Sequence, residues 1–166
     1  MIMEHIDETR YDTDAVKYRL IEYRERAKDI ESQTERLDRL EMKILSVGSP
    51  TISDMPKSPS PPQDRTTALI ADKIDLENDI RQAIAEQRRE KEEIEVILRK
   101  LRHSEERAVI RMRYFDGASW NDVVDMLFGG KDDFLGKEDT YLRRTHKIHG
   151  SALLNMAIII QGGNLK

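Results

Sequence analysis

The sequence predicts an all-α protein in which a long two-helix coiled-coil hairpin is followed by a C-terminal helix-turn-helix domain. Three observations support this: a heptad pattern near the N-terminus, a second apolar stripe after a proline-rich segment, and three short capped helix patterns beyond residue 103. Charged residues make up 36% of the 166 residues and aromatic residues only 5%. This balance favours long solvated helices around a narrow core.

The first predicted helix belongs to residues 1–46 and carries a continuous seam, meaning the row of residues that faces a partner helix. Asp12, Thr13 and Asp14 suit its start, and Gly48 its end. The seam residues alternate steps of four and three, which is the spacing of a coiled coil: Val16, Leu20, Tyr23, Ala27, Ile30, Thr34, Leu37, Glu41 and Ile44.

A linker and a second coiled-coil helix follow. Residues 47–65 hold all five prolines and are predicted to be an extended linker. In residues 66–103 the predicted seam is interrupted by the polar residues Gln87 and Lys91 and otherwise consists of Ile70, Ile74, Ile80, Ile84, Ile94, Leu98 and Leu101. Neither stripe can be buried by its own helix. The two helices therefore pack on each other, on a second copy of the chain, or on both.

Residues 104–160 are predicted to be a DNA-binding domain of three helices. Ser104 is the expected cap of the first helix, and Gly117 ends that helix. Ser119 caps the second helix, with Asp122 three residues later in a capping box. The third helix opens at residue 139 or 140. Trp120 is predicted to lie in the core where the first two helices meet.

The third helix carries the candidate DNA contacts. Residues 141–149 hold three unambiguous positive charges and no negative charge. On the third helix of such a pattern, side chains meet base edges and phosphates. The candidate contacts are Thr140, Tyr141, Arg143, Arg144, His146 and Lys147. The alternative is that the basic residues form an ordinary solvated face and that Thr140 and Tyr141 only cap and pack. His149 is predicted to pack or to face a phosphate.

Three segments carry a resemblance to a known family. The runs Arg113-Tyr114-Phe115-Asp116-Gly117, Ser119-Trp120-Asn121-Asp122-Val123 and Ile148-His149-Gly150-Ser151-Ala152-Leu153 resemble the C-terminal domain of phage late transcription regulators of the ArpU and RinA type. That domain is similar to region four of sigma factors. The longer connector here, residues 128–137, departs from the family's tight turn. The resemblance implies a sigma-like helix-turn-helix, control of late phage genes, and host RNA polymerase as a candidate partner.

Other classes of function find little support in the sequence. There is no cysteine, so thiolate chemistry and a disulfide framework are excluded. His146 and His149 lack an acidic ligand at matching spacing, and no metal site, cofactor or catalytic residue is predicted. Neither a signal-type run nor a stretch of membrane-spanning length is present. The net charge of −4 argues against a uniformly basic binder, although phosphate contact depends on local clusters.

The sequence therefore predicts a sequence-specific regulator of transcription and not an enzyme. The resemblance implies that it is phage-encoded and that its targets are late genes. Its expected partners are double-stranded DNA and further copies of itself, with a dimer favoured, in the cytoplasm of a bacterial host and not in a membrane. The alternatives are a small subunit of a phage DNA-packaging terminase and a structural coiled-coil protein. A ring of about eight or more chains would favour the terminase subunit, and the absence of salt-dependent DNA binding would favour the structural protein.

Overall fold

The computed structural model describes residues 11–47 and 62–162, and within them the protein is all-α, as predicted. The long helices are α1 (Thr13–Val47) and α2 (Pro62–Lys100). They pack on each other and are followed by α3 (Ser104–Ile110), a π-helical turn (Arg111–Phe115), α4 (Trp120–Phe128) and α5 (Glu138–Ile160). The predicted linker falls mostly outside the described residues, and α2 begins four residues earlier than expected, with proline at its first position.

The chain divides into two compact units, and the first comprises Met1–Glu25 and Glu90–Lys166. Its core joins the start of α1 and the end of α2 to the C-terminal helices. The residues in this core are Val16, Leu20, Tyr23, Ile94, Leu98, Leu101, Ile110, Tyr114, Ala152, Leu153, Met156 and Ala157. The C-terminal helices therefore share a single core with parts of both long helices.

An ion-pair cluster at the surface fixes how α1 and α2 meet in this unit. The guanidinium of Arg19 donates to Glu90 at 2.6 Å and to Glu93 at 2.7 Å. Both carboxylates lie within the helical turn that precedes the buried Ile94, and Arg19 directly precedes the buried Leu20 of α1. The contact sets the register of the two helices because only one alignment satisfies both carboxylates.

The second unit is Arg26–Arg89 and holds the remainder of both long helices. Its only buried apolar residues among the described residues are Leu76 and Ile80, which are 9% and 7% exposed. Lys73 pairs with Glu41 of α1 at 2.9 Å. This unit is thus a thin helix pair with little interior.

The predicted seam of α2 was partly wrong. Ile80, Ile94, Leu98 and Leu101 are buried as expected, but Ile70, Ile74 and Ile84 are exposed. The true row in this part of α2 keeps the steps of four and three without interruption and consists of Leu69, Lys73, Leu76, Ile80, Ala83 and Gln87. Lys73 can occupy a seam position because its apolar stem packs while its ammonium reaches Glu41.

The start of α3 also differs from the prediction. Ser104 is the first helical residue rather than the cap, and the cap position is His103, whose side chain makes no capping hydrogen bond. The acidic side chains of the first turn, Glu105 and Glu106, complement the helix dipole instead.

The turn between α3 and α4 follows the predicted chemistry. Gly117 has φ +70°, a conformation that L side chains rarely adopt, and the next amide, Ala118 N–H, donates to the carbonyl of Met112 at 2.9 Å. Ser119 and Asp122 form the complete capping box that the sequence indicated. The end of the first helix and the start of the second are therefore confirmed.

Candidate nucleic-acid interface

One face of α5 is exposed and carries most of the predicted contacts. Four predicted contacts share this face because they are separated by steps of three, one and three residues. All four are exposed: Thr140, Arg143, Arg144 and Lys147. His146 is exposed beside them. Arg143 donates to the carbonyl oxygen of Asp139 at 3.2 Å, whereas no described residue pairs with the Lys147 ammonium.

The opposite face of α5 is held by α3 and α4. Thr145 is fully buried and its hydroxyl donates to the Tyr141 carbonyl oxygen at 2.9 Å. One and two turns beyond Lys147, on the same side of α5, Ser151 Oγ and Asn155 Nδ2 donate to Oε1 of Glu106 from α3, which is only 3% exposed. These contacts fix the rotation of α5 about its axis, so the basic face points outward in one orientation.

Arg144 is the most constrained of the exposed cations. Its guanidinium lies over the Phe128 ring, 4.8 Å from the centroid, and approaches Glu105 Oε1 at 3.3 Å. The ring restricts the side chain without neutralising its charge, while the partly exposed ion pair is weak and can be exchanged for another anion. Arg144 is therefore held in place by Phe128, and an anion that binds it has to displace Glu105.

Tyr141 lies in the packing between α5 and the connector. Its hydroxyl donates to Asp133 Oδ1 at 2.6 Å, and its ring stacks on Phe128 with centroids 4.9 Å apart. Lys137 and Tyr141 both donate to Asp133 and lower the pKa of that carboxyl to about 2. The geometry thus gives Tyr141 a role in holding the connector in place, and its predicted DNA contact stays a prediction.

The N-terminal end of α5 is acidic. A groove there is lined by Asp125 of α4 and by Glu138 and Asp139 of α5. Thr140 directly follows these carboxylates, so a phosphate beside it would meet unfavourable charge. The positive surface of α5 is accordingly centred one to two turns further along, at Arg143, Arg144 and Lys147.

Trp120, His146 and His149 form an aromatic cluster beside the exposed basic face. Trp120 lies 4.5 Å from the His146 ring and 5.0 Å from the His149 ring, measured between centroids. The guanidinium of Arg113 lies over the Trp120 ring, 4.9 Å from its centroid. Trp120 is only half-buried, so it is less enclosed than the prediction of a core residue implied. His149 is buried and shares a 2.9 Å hydrogen bond with the Tyr114 hydroxyl, which makes it a packing residue.

Burial should make His149 a source of acid sensitivity. Burial of the imidazole lowers the pKa of His149 from 6.5 to about 4. The unfolded chain then binds the proton more readily, so this contribution to stability is complete above about pH 6.5 and is lost as the pH falls towards 4. A single such group gives a slope of about 1.4 kcal/mol per pH unit. Chemical denaturation across this range should show a steeper loss for the wild type than for His149→Gln, and parallel curves would contradict the prediction.

The part of the site that the sequence did not indicate is the contribution of α3. Glu105 pairs with Arg144 and Glu106 is buried against α5. The available signal was on α5, where Ser151 and Asn155 are two polar residues four apart on the side that faces α3.

The fold and the site together describe an all-α protein in which a helical hairpin leads into three shorter helices, the last with an exposed basic face. Residues 62–143 match a family described as a protein of unknown function, DUF1492. The match begins with α2 and ends at Arg143 on α5. No curated protein and no solved structure matches the chain.

Two further features bear on function. No helix in residues 11–47 and 62–162 has the length and apolar character needed to span a membrane. Within the same residues, no three histidine or acidic side chains are grouped so that they could hold a metal ion.

Proposed function

We propose that this protein is a phage-encoded, sequence-specific DNA-binding regulator of transcription, in which α5 is the reading helix. The observation that carries the proposal is the exposed face of Arg143, Arg144 and Lys147 on the last helix of the three-helix unit. An α-helix fits the major groove of B-DNA, where arginine can donate two hydrogen bonds to guanine and lysine can contact phosphate. The burial of Thr145 and His149 on the other face supports this orientation.

The mechanism is positional. Arg143 and Lys147 project from a helix whose rotation is fixed by Glu106, so they enter the groove without reorganisation of the fold. Arg144 exchanges its weak pairing with Glu105 for a phosphate or a base edge. The acidic start of α5 disfavours nonspecific contact with the DNA backbone at that end, which concentrates binding on the three cations.

Self-association through the second unit completes the proposal. That unit buries Leu76 and Ile80 but leaves Ile70, Ile74 and Ile84 exposed by 43% to 50%, together with Met42 and Leu45 of α1. A two-helix pair with so small an interior gains stability if a second copy covers these side chains. A dimer would then carry two reading helices and bind two half-sites at a fixed spacing.

The resemblance to ArpU-type and RinA-type regulators supplies the biological setting of the proposal. It supports late phage genes as the target, host RNA polymerase as a partner and the cytoplasm of the bacterial host as the location. The sigma-like character of the three-helix unit belongs to the same proposal.

Selection of bound duplexes from fragmented phage DNA, followed by titration at several salt concentrations, tests this function. Each phosphate contact contributes about −0.9 to the slope of log K against log salt concentration. Six cations from two copies, if each met one phosphate, would therefore give a slope of roughly −5. The absence of any salt-dependent binding would contradict the proposal, and light scattering that showed a ring of many chains would favour the packaging protein instead.

Neutralising Glu105, which competes with DNA for Arg144, should strengthen DNA binding. Glu105→Gln removes the carboxylate that pairs with Arg144 at 3.3 Å, so affinity should rise by about two- to fivefold while melting changes little, since exposed pairs contribute at most about 1 kcal/mol. Glu35→Gln is the matched control because Glu35 pairs with Arg39 on α1 at 3.6 Å. Equal affinities for the two variants would show that Glu105 does not restrain Arg144.

A further inference from the structure

A cavity of about 600 Å³ lies between the start of α3 and the middle of α5. Its volume falls in the range of small-molecule sites, about 300–1,000 Å³. Cations line one side, namely Arg144 and Lys147, and the carboxylates Glu105 and Glu106 line another. Ile148 adds an apolar surface between them. The lining thus offers contacts for an anion, for a hydrogen-bond donor and for a flat ring in one space.

Glu106 provides an independent sign of a ligand. The residue is 97% buried, and while Oε1 accepts two hydrogen bonds, no donor among the described residues reaches the buried Oε2. Leaving a buried carboxylate oxygen without a donor is costly, so such atoms point to a missing partner. Glu106 is one of the residues that line the cavity, so a ligand bound there is a candidate for the missing donor.

We propose that this cavity binds a nucleotide whose base carries an amino group. The phosphate would lie between Arg144 and Lys147, three residues apart on one face of α5, and the amino group would donate to the Glu106 carboxylate. The base would pack on Ile148 and the His103 ring. A nucleotide suits the cavity better than free phosphate because only a molecule with both an anion and a donor satisfies the two ends of the lining.

Binding would also affect the reading face, and this consequence alone rests on the proposed function. Arg144 and Lys147 cannot contact a bound nucleotide and a DNA phosphate at once. The nucleotide would therefore compete with DNA, which would make the regulator responsive to the nucleotide pool of the infected cell.

Calorimetric titration of the full-length protein without DNA tests the site. The probes are adenosine 5′-monophosphate, inosine 5′-monophosphate, in which a carbonyl replaces the amino group, and inorganic phosphate. We expect the adenosine nucleotide to bind at least about tenfold more tightly than either of the others. Lys147→Ala should weaken it about tenfold, whereas Lys43→Ala, an exposed lysine of α1, should not.

Glu106→Gln should abolish the preference for adenosine over inosine. If this buried variant fails to fold, the preference of the wild-type protein for the adenosine nucleotide over the inosine nucleotide still tests the contact with the amino group. Equal binding of all three probes, binding unchanged by Lys147→Ala, or no binding would overturn the site. A protein that binds the nucleotide but no DNA would leave the cavity established and contradict only the proposed function.

Discussion

Reversing two charges on α5, as Arg143→Glu with Lys147→Glu, should reduce DNA affinity by about 100-fold or more. Each good arginine contact to a base is worth about 1–3 kcal/mol, and each lost phosphate contact removes further electrostatic attraction. Both residues are exposed, so melting should change by no more than about 0.5 kcal/mol for each substitution. Arg144 is left unchanged because its contacts with Phe128 and Glu105 also support the fold.

The matched control is Arg36→Glu with Lys43→Glu on α1. These are exposed basic residues of the second unit, and their substitution produces the same change in net charge. Fluorescence anisotropy with a selected duplex should show that this variant keeps nearly the wild-type affinity. If both double variants lost affinity equally, total charge rather than the face of α5 would control binding, and the assignment of the reading helix would be wrong.

The sequence alone predicted those structural features that depend on residues close to one another in the chain. The capping box of Ser119 and Asp122 and the left-handed Gly117 each depend on residues within a few positions, and both were predicted. The seam of α1 through Val16, Leu20 and Tyr23 was predicted for the same reason, since the side-chain direction follows from helix periodicity.

The errors arose where a residue's role is set by a distant partner. Lys73 joins the seam of α2 because Glu41 of α1 receives its ammonium, and isoleucines that looked like better seam residues are therefore exposed. Glu106 is buried because Ser151 and Asn155, more than forty residues later, donate to it. Tyr141 packs on the connector because Asp133 accepts its hydroxyl. None of these pairings has a signature in a single sequence.

The shared core also changes what a truncation should do. A fragment that starts at Ser104 has the whole predicted helix-turn-helix but loses half of the core residues, among them the fully or almost fully buried Leu20, Ile94 and Leu98. Removing one such side chain costs about 2–5 kcal/mol, and a domain is stable by only about 5–15 kcal/mol. Circular dichroism should therefore show a largely unfolded fragment without a cooperative melt, and it should not bind DNA.

A second protein separates this loss of folding from a loss of self-association. Replacing residues 26–89 with about six glycine- and serine-rich residues keeps every residue of the shared core, and such a loop can span about 20 Å. This loop can connect α1 to α2 because the two helices are already close there, with Arg19 Nε 2.6 Å from Glu90 Oε1. This shortened protein should melt cooperatively, remain monomeric in light scattering and bind one half-site weakly. If it still formed dimers, the exposed isoleucines of α2 would not be the self-association surface; if the fragment from Ser104 folded alone, the core contributed by α1 and α2 would not be needed for the three-helix unit.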